Sequence, residues 1–448
     1  MKSIAQYTKL YDFKYVNPSI LGGRTPQGSL ISDGTFLYGM TSLGGANGMG
    51  TIFKIMPDGS NFIKIFDFMG VVSGSEPIGS LYFDGTYLYG VTQKGGTSNF
   101  GTIFKILPDG TNYTKLKNFT GTPDGWRPKF CTLVSDGTYL YGTTIVGGSA
   151  DKGAIFRIMP DGTNYSVIYS FTGGSGGENI YGSLILEGNQ LYGMTELGGS
   201  NNLGTIFKVS TDGSNYVKLL DFGGGLYGGA PQGCSLYFDG GFLYGMTTYF
   251  GIYNRGIIFK IMIDGSGFTK LFDFDGAGFG GFPNGTLISH GTSLYGLTPD
   301  DGSFNAGTLF KINQDGTGFT TLFDFSANNG ASPYGSLFKV GSFLYGMTRD
   351  GGLNGHGTIF KFQDISLSIS DSELPNDFSV YPNPVNDILH IALNNNSILE
   401  KVCIYDTFGK LMKTESSNTI SINNLTKGIY FLEVVTNQGK ATKKIIKR

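Results

Sequence analysis

Charge is scarce in this chain. Asp, Glu, Lys and Arg make up 15% of its 448 residues and nearly cancel, leaving a formal net charge of −2. That balance provides no basic stripe for nucleic acid and no cationic face for anionic lipid. Cysteine is scarcer still. Cys131, Cys234 and Cys403 are too few for a disulfide framework and read as small buried residues. No run of eighteen apolar residues occurs, so no transmembrane segment is expected. The three histidines, His290, His356 and His390, share no strand or loop, which argues against a His-based metal site. Amphipathic helical patterns are also missing, and that points to an all-β chain.

Glycine and aromatic residues fill the space. There are 73 glycines, and aromatics reach 14%. Both recur with a period. The triplet LYG begins at Leu37, Leu88, Leu140, Leu191, Leu243, Leu294 and Leu344, and GTIFKI or a close variant begins at Gly50, Gly101, Gly153, Gly204, Gly256, Gly307 and Gly357. Seven units of about 51 residues follow, each with room for four short strands and no helix. In the first unit these are GSLISDG, TFLYGMTS, GTIFKIMPDG and NFIKIFDF. Asp-Gly turns join strands one to two and three to four. Four strands per unit of this length is the period of a propeller blade.

The fourth strand exposes an offset. It occurs six times after a third strand, as in IKIFDF and TKLFDF, but the seventh unit stops at Phe362 without one. The missing copy, TKLYDF, stands at Thr8 to Phe13. The first strand of the chain can therefore complete the last blade and remove both open edges. The fold expected is a monomeric seven-bladed β-propeller over residues 1–362, closed by its N-terminal strand. The first strands would line the axis, where their leading residues (Gly28, Gly79, Cys131, Gly182, Cys234, Gly285 and Gly335) are all small. On LYG, GG and GTIFK, residues 8 to 362 resemble the glycine-rich GloVer tandem repeat of secreted bacterial proteins. That resemblance implies no transferable activity.

A polar linker, 363–377, leads to a second pattern at 378–448. Short alternating strands and turns there suggest a small Ig-like β-sandwich. The motifs YPNP (Tyr381, Pro382, Asn383, Pro384), YDTFGK with Gly409 and Lys410, and LTKGIYFLEV with Gly428 and Tyr430, followed by a basic end, resemble the C-terminal sorting domain of the type IX secretion system of Bacteroidota. The resemblance implies recognition by that machinery and an extracellular or outer-surface location. Such cargo also uses an N-terminal signal. The opening stretch MKSIAQYTKLYDFKY has no apolar h-region, so the signal is expected to have been removed or to lie outside this sequence.

Several motifs invite chemistry and fail on context. GAGFGG at Gly276 to Gly281 lacks the helix that a dinucleotide site needs. GGSGG at Gly173 to Gly177 lacks the helix after a nucleophile elbow. The recurring Asp-Gly turns lack calcium-loop spacing. No metal and no cofactor is expected. The connections two-to-three and blade-to-blade vary from unit to unit and fall on one face, so any binding belongs there. Candidates on that face are Trp126 and Arg127, then Tyr249, Tyr253 and Arg255, and the charged set Asp300, Asp301, Arg349 and Asp350. Tyr227, Phe250, Phe279 and Phe282 add further aromatic surface. Flat apolar rings beside polar groups suit sugars or peptides. The reading is a secreted, non-enzymatic surface protein that binds glycan or protein. The alternatives are a polysaccharide hydrolase or lyase using the loop acids, and a purely structural surface component.

Overall fold

The computed structural model describes residues 6–14, 23–364, 378–393, 398–406, 411–436 and 439–448. The chain divides into two compact units, Ala5–Gln363 and Asp364–Arg448. No helix among the described residues is long and apolar enough to cross a membrane.

The larger unit is all-β and propeller-like. Its strands form seven sheets among the described residues, one per sequence repeat, antiparallel except for one short parallel pair. In the first repeat they are Ile31–Ser32, Leu37–Thr41, Thr51–Ile55 and Ile63–Asp67. The seventh repeat supplies Phe338–Val340, Phe343–Thr348 and Thr358–Gln363, and the strand Gln6–Asp12 pairs antiparallel with the last of these. Tyr7 then stacks on Phe323 of the sixth repeat at 4.0 Å, and Tyr11 on Phe62 of the first at 3.8 Å. These are the same outer-strand stacks that Phe66–Tyr113 and Tyr169–Tyr216 make elsewhere.

The two sequence markers explain each other. Gly39 of LYG lies directly opposite Phe53 of GTIFK across the strand pair. A Cβ on Gly39 would strike the Phe53 ring, and the same holds for Gly90 with Phe104 and Gly245 with Phe259. The ring covers the bare glycine backbone and is itself completely buried. Tyr38, the middle residue of LYG, is also buried, and its hydroxyl donates to Asp33 at 2.7 Å. Asp33 additionally accepts the backbone N–H groups of Thr35 and Phe36, so the Asp of the Asp-Gly turn closes the turn and satisfies the buried phenol together.

The first strand is shorter than GSLISDG suggests. Only Ile31 and Ser32 pair with the neighbouring strand of their own sheet. The preceding residues turn instead toward the next repeat. The Ser29 N–H donates to Ser80 Oγ at 2.8 Å, Thr132 N–H to Ser183, Ser183 N–H to Ser235, Thr286 N–H to Ser336, and Ser336 N–H back to Ser29. Between the fifth and sixth repeats, Cys234–Ser235 pairs in parallel with Gly285–Thr286. A Cβ on Gly28 would collide with the Gly79 carbonyl, and one on Gly335 with that of Gly28. These residues surround an axial cavity of about 50 Å³.

One buried polar pair recurs where strands two and three leave the sheet: Thr41–Thr51, Thr92–Thr102, Thr195–Thr205, Thr298–Thr308 and Thr348–Thr358, at 2.8–2.9 Å. The third repeat has Thr144 opposite Ala154, and the buried Thr144 hydroxyl has no partner. The sorting unit builds two antiparallel sheets on one core that includes Leu389, Val402, Leu432 and Ile445.

Replacing Ala154 by Thr should restore the missing pair. The midpoint of urea unfolding should rise by the equivalent of about 1 kcal/mol, whereas the same change at an exposed position should not move it.

Candidate functional site

The variable loops of the larger unit are held on rigid supports. After each second strand, the loop pairs with the segment arriving from the preceding repeat, as in Arg24 with Leu43, Gly229 with Tyr249 and Gly281 with Asp300. The fourth-strand acid then ties the loop from below. Asp67 Oδ1 accepts Ala46 N–H, Asp273 accepts Ile252 N–H, Asp324 accepts Ser303 N–H, and Asp12 accepts Leu353 N–H, at 2.9–3.0 Å. Most fourth-strand acids also pair with a lysine three residues earlier on the same strand, as in Lys64–Asp67 at 2.6 Å and Lys218–Asp221 at 2.7 Å, whereas Asp324 has Thr321 at that place. The strand-three lysines do other work. Lys54 and Lys105 donate to the Pro108 and Pro160 carbonyls of the following repeat and lie over Phe36 and Tyr87. The repeating charges are therefore structural.

Each arriving segment passes through one residue in the left-handed region. These are Thr25, Glu76, Arg127 and Asn179 in the first four repeats, and Ala230, Phe282 and Ser332 in the last three, with φ between 46° and 58°. Each donates its N–H to a carbonyl of the preceding repeat, for example Glu76 to Met49 at 3.0 Å and Phe282 to Arg255 at 2.8 Å. This conformation costs a residue other than glycine on the order of 1 kcal/mol.

On this face a cleft of about 220 Å³ opens across the fifth to seventh repeats, lined by Gln232, Thr248, Tyr249, Phe282, Asn284, Pro299, Asp300 and Tyr334. Tyr334 also reaches the axial cavity, so the two spaces share a wall. Tyr249 meets Phe282 edge to face at 5.5 Å, and the Arg255 guanidinium lies 4.6 Å from the centre of the Phe282 ring. Arg255 Nε stands 3.0 Å from Asp301 Oδ2, an ion pair out of line for a hydrogen bond. Arg349 pairs with Asp350 at 2.8 Å and covers the Tyr334 ring at 4.8 Å. Asp300 is left over. Its half-buried carboxylate has no hydrogen bond or ion pair among the described residues, and burial, then repulsion from Asp301, raises its pKa above the usual value. Burial likewise raises the Tyr334 phenol.

Of the residues expected from the sequence, Tyr249 and Asp300 line the cleft. Arg255, Asp301, Arg349 and Asp350 flank it as two ion pairs. Tyr253 is 57% exposed on the same loop and does not line the cleft. Trp126 and Arg127 stand together between the second and third repeats and do not line the cleft. The Trp126 ring packs against Phe100 at 5.0 Å, and its Nε1–H donates to Asp151, which also accepts Gly147 N–H. Trp126 thus fastens its loop. The sequence reading missed Gln232, Asn284 and Tyr334. Their signal is positional: each follows the Pro after a left-handed residue, in APQ, FPN and SPY.

A second polar cluster adjoins the cleft through Gln232, whose amide donates to Glu196 at 3.0 Å. Burial raises the Glu196 pKa, and nearby Lys129 opposes the rise. Burial lowers the Lys129 pKa, with Arg127 reinforcing the shift. In the sorting unit, Asn383 of YPNP bridges to the last strand, donating to the Lys444 carbonyl at 2.8 Å and accepting Ile446 N–H at 2.9 Å. Tyr430 is buried, and its hydroxyl donates to the Thr426 carbonyl. Gly428 pairs with Lys447, and Tyr381 is exposed beside His390. Gly409 and Lys410 lie outside the described residues, as does most of the expected linker.

Residues 2–138, 122–276 and 225–370 match the Gloeobacter/Verrucomicrobia repeat, and residues 379–448 match a secretion-system C-terminal sorting domain. No curated protein matches the sequence. Among solved structures, an oligogalacturonate lyase from Vibrio parahaemolyticus is similar with a TM-score of 0.53 and 14% identity, over 81% of this chain and 94% of that one. The extracellular domain of a hybrid two-component system from B. thetaiotaomicron gives a TM-score of 0.52 and 11% identity, over 99% of this chain and 57% of that one. At such identities the likeness is one of fold alone.

Asp300 carries a pH signature. Its native pKa lies above its unfolded value of about 3.9, so the native state holds the proton more tightly. Its contribution to stability is then greatest at low pH and is lost as pH rises from about 4 through the raised native pKa. Asp300→Asn should therefore melt above the parent at pH 7, with the difference vanishing below about pH 4, as measured by scanning fluorimetry across pH.

Proposed function

Because the chain belongs to the Gloeobacter/Verrucomicrobia repeat family and ends in a sorting domain that directs export to the cell surface or beyond, we propose that its larger unit is a closed seven-bladed propeller that binds glycan without transforming it. Closure is supported by the pairing of Gln6–Asp12 with Thr358–Gln363 and by the return of the axial hydrogen bonds from Ser336 to Ser29. The sorting domain implies contact with the type IX secretion machinery. The single observation that carries the binding reading is the cleft beside Tyr249, with the unpaired carboxylate of Asp300 in its wall. A carboxylate with free acceptor sites suits the paired hydroxyl donors of a sugar ring, and an adjacent aromatic suits its C–H face. Gln232 and Asn284 add amide donors and acceptors.

Binding is favoured over catalysis by the state of the same groups. Burial moves Tyr334 away from use as a base near neutral pH. The neighbouring acids Asp301 and Asp350 are engaged by Arg255 and Arg349. The free charge in the cleft is negative, so the ligand class is a neutral or amino sugar polymer rather than a polyuronate.

Affinity electrophoresis in gels containing laminarin, xylan or polygalacturonate tests this reading. A neutral polymer should retard the full chain, Asp300→Asn should migrate freely, and no unsaturated or shortened product should form. Retardation by polygalacturonate alone, or release of product, would sink the proposal. The ring is tested separately. Deleting residues 1–14 should bare the edge at Thr358–Gln363 and produce self-association on size exclusion, while an equally long deletion in an exposed loop should leave a monomer.

A further inference from the structure

The chain uses glycine freely where φ is positive, as at Gly44, Gly95 and Gly198. Most other residues with positive φ are Asn or Asp, such as Asn61, Asn112 and Asp151, whose short polar side chains tolerate that conformation. The seven left-handed residues at the seams between repeats, Asn179 aside, depart from both habits. Their backbone is the same in every repeat, yet none of them is glycine. A shared packing duty would select one side chain, as the Thr–Thr pairs and the Gly–Phe pairs do. The residues here are Thr, Glu, Arg, Asn, Ala, Phe and Ser, which have no chemistry in common. The backbone conformation is thus common to all and the side chains are individual, although glycine would meet the backbone demand without strain.

Each side chain makes its own local contact on the loop face. The Thr25 hydroxyl meets Ser42 at 2.8 Å, the Glu76 carboxylate accepts from Gln93 at 2.6 Å, and Phe282 walls the cleft. Phe282 is the most telling. It is a bulky aromatic held at φ 54°, half-buried, with Tyr249 against its edge and Arg255 over its ring. The Arg255 cation on Phe282 leaves the ring fixed in one orientation at the cleft wall.

We propose that these seam positions are the specificity-determining positions of the loop face, and that Phe282 reads the apolar C–H face of a sugar ring bound beside Asp300. The inference rests on the glycan-binding reading. It adds that the side chains are retained against a conformational preference for glycine, each seam offering a different group on the loop face.

The test compares Phe282→Gly, Phe282→Ala and Phe282→Leu in the full chain, by melting temperature and by affinity electrophoresis on laminarin and xylan. Gly relieves the left-handed strain, Ala keeps it, and Leu keeps bulk without a flat ring. All three should weaken retardation about tenfold or more. The Gly variant should melt at or above the Ala variant, and Leu should melt within about 2 °C of the parent. Unchanged retardation in the variants, with the parent retarded, would overturn the role of Phe282 and leave the glycan reading standing. A Gly variant that melts below the Ala variant would overturn the claim of retained strain. If neither polymer retards the parent, the glycan reading fails and takes this one with it.

Discussion

The glycine of LYG and the phenylalanine of GTIFK form the contact on which the rest depends. A side chain on Gly39 would occupy the space of the Phe53 ring, and without that ring the strand pair would lose its cover. With both in place the buried ring packs one sheet against the next, as Phe68 on Phe104 and Phe274 on Phe310 illustrate. Edge-to-face and stacked rings then run around the unit, packed among aliphatic residues such as Ile52, Leu81 and Leu88. This accounts for a chain so rich in both glycine and aromatics. Glycines such as Gly39, Gly90 and Gly28 mark places where a ring or a backbone comes too close for a Cβ, while others, such as Gly34 and Gly85, stand in open turns with positive φ.

Because the strands carry this packing, they cannot vary, and variation is pushed to one face. There the loops are not loose. The strand-four acids hold them from one side, and the bridges to the arriving segment hold them from the other. The face therefore combines fixed backbone with free choice of side chain, which is what a binding surface requires. Charge follows the same division. Lysines and acids that repeat are paired or bonded to backbone, and hydrogen bonds hold turn acids such as Asp109 below the usual carboxylate range, while burial shifts those that do not repeat, Lys129, Glu196 and Asp300, toward their neutral forms.

The sorting unit is built on a different logic. It has one small core between two sheets, and the YPNP motif has a structural role in it. Asn383 fastens the YPNP turn to the final strand, so the C-terminal strand and the motif are ordered together.

By itself the sequence determined the number of repeats, the four strands of each, the displaced strand at Thr8 to Phe13 and the sorting domain. These follow from local periodicity and from residue types that only one backbone tolerates. It also pointed to the face that carries variation, because insertions and aromatic substitutions fall in two loops of each unit. Tertiary structure decided which of those residues meet. Trp126 looked like a ligand platform and is spent on Phe100 and Asp151, while Tyr249 and Asp300, 51 residues apart, share a cleft with Gln232, Asn284 and Tyr334. The shortened first strand had the same origin, since Ser29 bonds to the next repeat rather than to its own sheet. The reason is physical. A repeat specifies its own hairpins through neighbours in sequence, but the seams are made between residues one whole period apart, and no local pattern records what stands on the other side.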